Sequence, residues 1–462
     1  MKNDKRESFS SRFGFIIVSV ACAVGLGNVW LMPFRAGEMG GGLYVLMVIA
    51  FAFLLGVPVL ICEYAVGRAS RQSIANHYKI LSPNNKWHIH SYLGITGNYI
   101  LLMFFVVIVG FTLVYLWKAI TGELIGAAPE QVLAAWSSLS ADAGSSVLFL
   151  FITIAAGIGV CALGLNKGME RFGKYLMIMF FVLILVVIVR SLTLPGAMGG
   201  LAFAFAPRAE SIAEHGFFTI LHTAMGQALF SLSVGMGSMA IFGSYMKRER
   251  RLLGESLTVA TTDMLVSVLM LILIFPAAYS FGINLAVGEG LIFVTLPNVF
   301  NQMPLSYLWS LLFYAGLFFV SFSTAAAVIE NIVTICMDKF GLSRKRSCLY
   351  NLIFLCIICL PSAFGRNIWS GGIFPIMSAP PIGHIGAFFT YIVMDIILPV
   401  GAIVYLVFCF SKKGWGAQNF LAEANAGSGL KFPLAIIFYC KYIVPIAISF
   451  IFIFGVITRW FL

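Results

Sequence analysis

Along most of this chain the apolar positions do not alternate with polar ones but run on. Eleven such runs lie at roughly 13–35, 43–67, 93–117, 146–165, 172–194, 217–246, 257–282, 305–337, 348–364, 383–410 and 433–458. About 20 mostly apolar residues cross a bilayer as a helix. Continuous runs, rather than a period of two, predict helices and not a barrel. The pattern therefore predicts an all-α integral membrane protein with eleven transmembrane helices.

Two runs are interrupted in the same way. The first contains Ala23-Val24-Gly25-Leu26-Gly27-Asn28, and the sixth contains Ser233-Val234-Gly235-Met236-Gly237-Ser238. A glycine inside a helix costs about 1 kcal/mol relative to alanine, so both runs are expected to unwind at mid-membrane. Unwound backbone at that depth is tolerated only where protein or a cavity satisfies it. Its freed carbonyls can ligate a cation, and the N–H groups of the next half-helix can hold an anion. Interrupted helices in corresponding positions of two halves point to a transporter's binding site. The first run and the sixth cross in opposite directions. That predicts an inverted repeat of five plus five helices, about 13–194 and 217–410, with one extra helix at about 433–458. A lone G-x-G also serves close helix packing; two copies, each beside a polar residue, favour unwinding.

Composition sharpens the class. Of 462 residues, 60% are hydrophobic and 10% charged, against about a quarter charged in soluble domains. The net charge of +11 has a location. Placing the N-terminus inside collects 22 of the 29 Lys and Arg on that side, from Lys2, Lys5, Arg6 and Arg12 through Lys412, Lys413 and Lys431; the outside keeps Arg35, Lys118, Arg190, Arg208, Arg366 and Arg459. The positive-inside rule then sets a cytoplasmic N-terminus and an extracytoplasmic C-terminus, and no nucleic acid is needed to explain the charge. The longest hydrophilic stretch, about 121–145, is too short for a soluble domain, and no N-x-S/T sequon occurs. Both features favour a prokaryotic inner membrane, with the lipid bilayer as the protein's surroundings. The nine cysteines, including Cys356-x-x-Cys359, lie mainly in apolar sequence, and the six histidines are scattered. No nucleophile, base or metal constellation suggests an enzyme.

Asp263 is expensive where it stands. An unpaired Asp at a helix centre costs about 3 kcal/mol on insertion scales, so it needs a partner, either a bound cation or a structural hydrogen bond. Ser323 and Thr324 read alone as hydroxyls bonding back to their own helix.

The stretches SRFGFIIVSVACAVGLGNVW (11–30), GEMGGG (37–42), GVPVLICEYAVGR (56–68), GQALFSLSVGMGS (226–238), IFPAAYSFG (274–282) and GLSRKR (341–346) resemble the neurotransmitter:sodium symporter family, with its LeuT-type fold. The resemblance implies a sodium-coupled secondary symporter that imports an amino acid or similar small zwitterion by alternating access, with two sodium ions. It implies a first sodium site from the Ala23 carbonyl, Asn28, Ser231 and Asp263. A second would use the carbonyls of Ala21, Val24 and Val320 with the hydroxyls of Ser323 and Thr324. A substrate carboxylate would meet N–H groups around Leu26 and Gly27, and its ammonium the carbonyls near Ala23, Phe230 and Ser233. Cys22, Gly25, Leu101, Phe105, Ser231, Met236, Ala327 and Val328 would complete the pocket, Gly25 standing where amine-transporting relatives carry an aspartate. Arg6, Phe9, Tyr245 and Asp338 match the cytoplasmic gate, with Phe9 in place of the usual tryptophan, and Glu63 matches a glutamate that braces the unwound sixth helix.

Four further departures touch the outer gate, the substrate and the chloride site. Leu31 and Thr390 replace the arginine and the acidic residue of the outer gate. Phe105 replaces a tyrosine that binds the substrate carboxylate. Val48 replaces a tyrosine of the chloride site, although Gln227 and Ser267 match that site elsewhere. With Asp263 supplying negative charge, chloride is expected not to be required. Arg35, four residues beyond Leu31, either takes over the gate, with His384 or Glu38 as partner, or snorkels to the headgroups. The departures leave a second reading, a membrane sensor or partner-binding protein that kept the fold and lost transport. Glu330 and Asp395 receive no role from the sequence, and the oligomeric state, a homodimer included, stays open.

Overall fold

The computed structural model describes residues 6–282, 288–370 and 384–461, without the side chains of 459–461. Lys2 and Lys5, and the side chain of Arg459, lie outside that description. Helix α1 (Arg12–Ala23) and helix α2 (Gly27–Glu38) are two halves of the first span, bent by 51° at 24–26. Ser11 caps α1 by accepting the Gly14 N–H at 3.0 Å. Helices α3 (Gly42–Ser70), α4 (Lys86–Thr121), α5 (Ala143–Ala162) and α6 (Leu165–Leu192) follow. The sixth run forms α7 (Phe217–Ser231) and α8 (Ser238–Tyr245), of 15 and 8 residues, neither long enough to cross a membrane alone. Then come α9 (Leu252–Ser280), α10 (Ser306–Phe340), α11 (Arg344–Phe364), α12 (Ile385–Phe410) and α13 (Ile436–Thr458).

Both interruptions fall on the two glycine motifs. After α1, Val24 turns extended at φ −74° and ψ 109°. After α7, Ser233, Gly235 and Gly237 all take positive φ, at 52°, 109° and 77°. That region is open to glycine at no steric cost. Gly235 is required twice over, because a Cβ there would run into the Leu398 carbonyl of α12.

The broken helices sit at the centre. α4 and α10 flank them and bury 72% and 78% of their most apolar windows, whereas α6, α11 and α13 bury only 39%, 39% and 33%. The outer helices thus turn apolar side chains to lipid, as an all-round hydrophobic helix at a membrane boundary must. The hydrophilic stretch at 121–145 contains a helix of its own, Pro129–Ala141, whose Trp136 stacks on Phe293 with centroids 4.4 Å apart.

Candidate functional site

The break in the first span frees carbonyls, and side chains from other helices collect them. Thr324, on α10, points its hydroxyl at the carbonyls of Ala21 (2.9 Å), Val24 (2.8 Å) and its own-helix Val320 (3.1 Å). One hydroxyl proton cannot serve three acceptors at once, so the cluster is rich in oxygen lone pairs. Neighbouring Ser323 donates to Val320 at 2.8 Å in the ordinary back-bonded way. The Cys22 carbonyl accepts from Ser233 (3.0 Å) and the Gly27 carbonyl from Gln227 (2.9 Å).

A second oxygen cluster lies at Asn28. Its amide oxygen accepts the Gly25 N–H at 3.0 Å. Its amide nitrogen faces four oxygens, namely Asp263 Oδ1 (2.8 Å), Ser231 Oγ (2.9 Å), Ser267 Oγ (2.9 Å) and the Asp263 carbonyl (3.1 Å). Two N–H bonds cannot satisfy four acceptors. Ser231 in turn donates to Asp263 Oδ2 at 2.6 Å. Asn28, Ser231 and Asp263 are all buried, and the structure brings them together as the sequence placed them. Ser267, matched in the sequence to the chloride site, belongs to this same cluster. Val48, at the chloride-site tyrosine position, is buried.

Between the clusters is a cavity of about 20 Å³ lined by Cys22, Ala23, Gly25, Leu26, Gly27, Leu101, Phe105, Phe230, Ser233, Met236, Thr324 and Val328. That is room for about one water molecule. Two expected lining residues are elsewhere: Ser231 is turned to Asp263, and Ala327 is buried outside the lining. Thr324 is the lining residue that the sequence assigned only to an ion. A Cβ at Gly25 would lie 2.7 Å from Thr324 Oγ1, so a larger residue there would have to displace the Thr324 side chain.

Glu63 holds the other break. Its Oε1 accepts the N–H groups of Gly235 (2.6 Å) and Gly237 (3.3 Å), and its Oε2 those of Met239 (3.1 Å) and Ala240 (3.2 Å).

The side that carries Arg6 and the end of α8 is closed by a network. Arg6 pairs with Asp338 at 2.7 Å, donates to Ser244 at 2.6 Å, and lies over the Tyr245 ring at 4.7 Å. Phe9 meets Tyr245 edge to face at 5.9 Å. The Tyr245 hydroxyl donates to Glu330 at 3.0 Å, and Arg344 pairs with Glu330 at 2.7 Å and with Glu7 at 3.2 Å. Glu330, unassigned from sequence, is thus a buried member of this network, and Arg344 and Glu7 join it. A buried Glu between a tyrosine and a basic GLSRKR turn was the available signal.

The opposite side opens into a vestibule of about 280 Å³, walled among others by Trp30, Leu31, Arg35, Gln227, Thr390 and Asp395. Thr390 spends its hydroxyl on the Gly386 carbonyl of its own helix, at 2.9 Å. Arg35 does not reach across to His384. It pairs with Glu38 at 2.8 Å, three residues along the same helix, because its side chain lies over the next turn of α2. His384 accepts the Ala387 N–H at 3.1 Å through Nδ1.

Comparison with known proteins adds the following. The sodium:neurotransmitter symporter family profile matches residues 6–131 and 128–460. An uncharacterised sodium-dependent transporter of Bacillus subtilis is 28% identical over 459 residues, 98% of each chain. An uncharacterised sodium-dependent transporter of Methanocaldococcus jannaschii is 30% identical over 374 residues, 77% of this chain and 74% of its own. The crystal structure of MhsT in complex with L-phenylalanine matches with a TM-score of 0.89 at 30% identity, over 98% of this chain and 100% of that one.

Proposed function

The chain belongs to the sodium:neurotransmitter symporter family, and from that premise we propose that it imports an amino acid or similar small zwitterion with sodium and without chloride. Sodium-coupled symport across a membrane, not enzymatic chemistry, is its activity. The observation that carries the finer reading is the pair of oxygen clusters on either side of the collapsed cavity, one of them built around a buried carboxylate.

Each cluster suits a hard cation, which prefers oxygen ligands. One sodium is held by Asp263, Ser231, the Ala23 carbonyl and Asn28 once the amide turns its oxygen inward. The other takes the Ala21, Val24 and Val320 carbonyls with Ser323 and Thr324. Sodium thereby fastens the α1–α2 break to α9 on one side and to α10 on the other. The substrate lies between, its carboxylate on the N–H groups at the start of α2 and its ammonium on carbonyls of the two breaks. The apolar walls of Leu101, Phe105, Phe230, Met236 and Val328 must part to admit its side chain, and Met236 adapts readily. Since Gly25 supplies no carboxylate to the pocket, the substrate brings its own. The phenylalanine bound by MhsT agrees with that class. The charge of Asp263 offsets the ion, so no anion is required. The two halves are the repeats at about 13–194 and 217–410, with the N-terminus cytoplasmic.

A melting-temperature screen of the amino acids in sodium gluconate tests this directly. A ligand at a hundred times its Kd stabilises by about 2.7 kcal/mol. The expected result is stabilisation by one class of amino acid in sodium and none in potassium, with sodium-driven uptake into proteoliposomes. Binding without uptake would favour the sensor reading, and a need for chloride would remove the charge argument. For the second ion, Ser323→Ala with Thr324→Ala should raise the sodium concentration for half-maximal uptake about tenfold, equivalent to 1.4 kcal/mol. An unchanged sodium titration would dismiss that site.

A further inference from the structure

The vestibule needs a door, and the positions expected to supply it, Leu31 and Thr390, carry no charge. Arg35 is committed to Glu38 on its own helix. Among the described residues, one ion pair crosses the mouth. Arg366, just beyond α11, grips Glu289 with both terminal nitrogens, one on each carboxylate oxygen, and each side chain is only 12% exposed.

Its position is what makes it a partition. Glu289, Arg366 and His384 line the vestibule on one face. On the other face the same three line a separate, more open recess of about 280 Å³, together with Trp136, Ser140 and Gly290. Among the described residues, these side chains stand between the two spaces. The pair joins the 288–290 segment to the end of α11. The 288–290 segment is held to α2 by the Trp30 indole N–H, which donates to the Gly288 carbonyl at 2.9 Å. Arg366 lies 5.9 Å from the Phe111 ring of α4. Closing the pair therefore gathers α2, α4 and α11 over the vestibule.

We propose that Glu289 and Arg366 form the outer gate of this transporter, opening the vestibule to the outer recess when they part and sealing it when they pair. The proposal rests on the transport reading for its purpose but not for its test. The energetics suit a gate. A bidentate pair with 12% exposure at each side chain loses most of its hydration on closing and regains it on opening, so desolvation offsets much of the attraction. A deeply buried pair would be locked, and a fully exposed one would hold nothing.

The test reads accessibility and needs neither substrate nor coupling. Thr223→Cys places a thiol in the vestibule wall, where none of the nine native cysteines lies. Its rate of modification by a membrane-impermeant thiol reagent is measured from outside, on the full chain in proteoliposomes. Glu289→Gln and Arg366→Gln should each speed labelling about tenfold, the factor that corresponds to 1.4 kcal/mol of lost closure. The double Gln variant should be no faster than the faster single, as expected for two halves of one interaction. The swap Glu289→Arg with Arg366→Glu should bring the rate back to within about threefold of the parent; should it not fold, the Gln double variant decides. Buried Cys161 serves as the internal control. Singles within twofold of the parent, a double variant that multiplies the two effects, or equal acceleration at Cys161 would each overturn the gate.

Discussion

Asp263→Ala should abolish sodium-dependent substrate binding and leave a folded protein. The carboxylate is fully buried, and among the described residues its partners are neutral: Ser231 at 2.6 Å and the Asn28 amide at 2.8 Å. An ion entering that site meets its one full countercharge. Removing one member of a buried charge pair costs about 3–5 kcal/mol, which at 1.4 kcal/mol per decade is some hundredfold to a few thousandfold in affinity. Sodium binding would then fall beyond any usable concentration. Without sodium the sign reverses, because the wild-type site then holds a buried charge without a cation, and such burial is unfavourable. The melting temperature of Asp263→Ala in potassium should therefore equal or exceed that of the wild type, and it should not respond to sodium. That combination separates a lost ion site from a damaged fold. A normal sodium titration in the variant would remove Asp263 from the coupling machinery.

The helices and their two breaks were legible because each rests on a rule local to its own run. Continuous apolarity specifies a span, and paired glycines specify where it gives way. Asp263 was legible because its cost demands a partner whatever the fold. Thr324 was not legible from its own chemistry. It and Ser323 both bond to Val320 like any membrane serine or threonine, and only Thr324 also reaches Ala21 and Val24, some 300 positions away. The family resemblance brought it in. Glu330 failed for a related reason, since Arg344 follows it by 14 residues, past the end of α10, and Tyr245 precedes it by 85. The sequence left Arg35 between two roles, a gate or a headgroup anchor, and the structure puts it in the vestibule wall, paired with Glu38 rather than His384. The outer ion pair joins a loop to a helix end, and neither position carries a pattern that announces its partner.

Glu63 should prove as indispensable to the second break as Asp263 is to the first ion, and for a different reason. Four backbone N–H groups of the unwound segment and the start of α8 converge on its two oxygens, all buried, with no basic side chain among its partners in the described residues. The carboxylate acts as a substitute for the helical carbonyls that the break took away. Leaving a buried donor unsatisfied costs about 1–3 kcal/mol, so Glu63→Ala faces several kcal/mol against a total stability on the order of 5–15. Loss of folded protein, or a fall of ten degrees or more in melting temperature, is expected. Glu63→Gln tests the role more finely. Its single oxygen can serve either Gly235 and Gly237 or Met239 and Ala240, and its NH2 group must then face the other pair of donors. This variant should fold, melt lower than the wild type, and bind substrate at least tenfold more weakly, because the segment that carries Ser233 and Met236 is no longer held. Sodium affinity at the Asp263 cluster should change much less. A Glu63→Gln protein with wild-type melting and substrate affinity would show that the break holds its shape without this carboxylate.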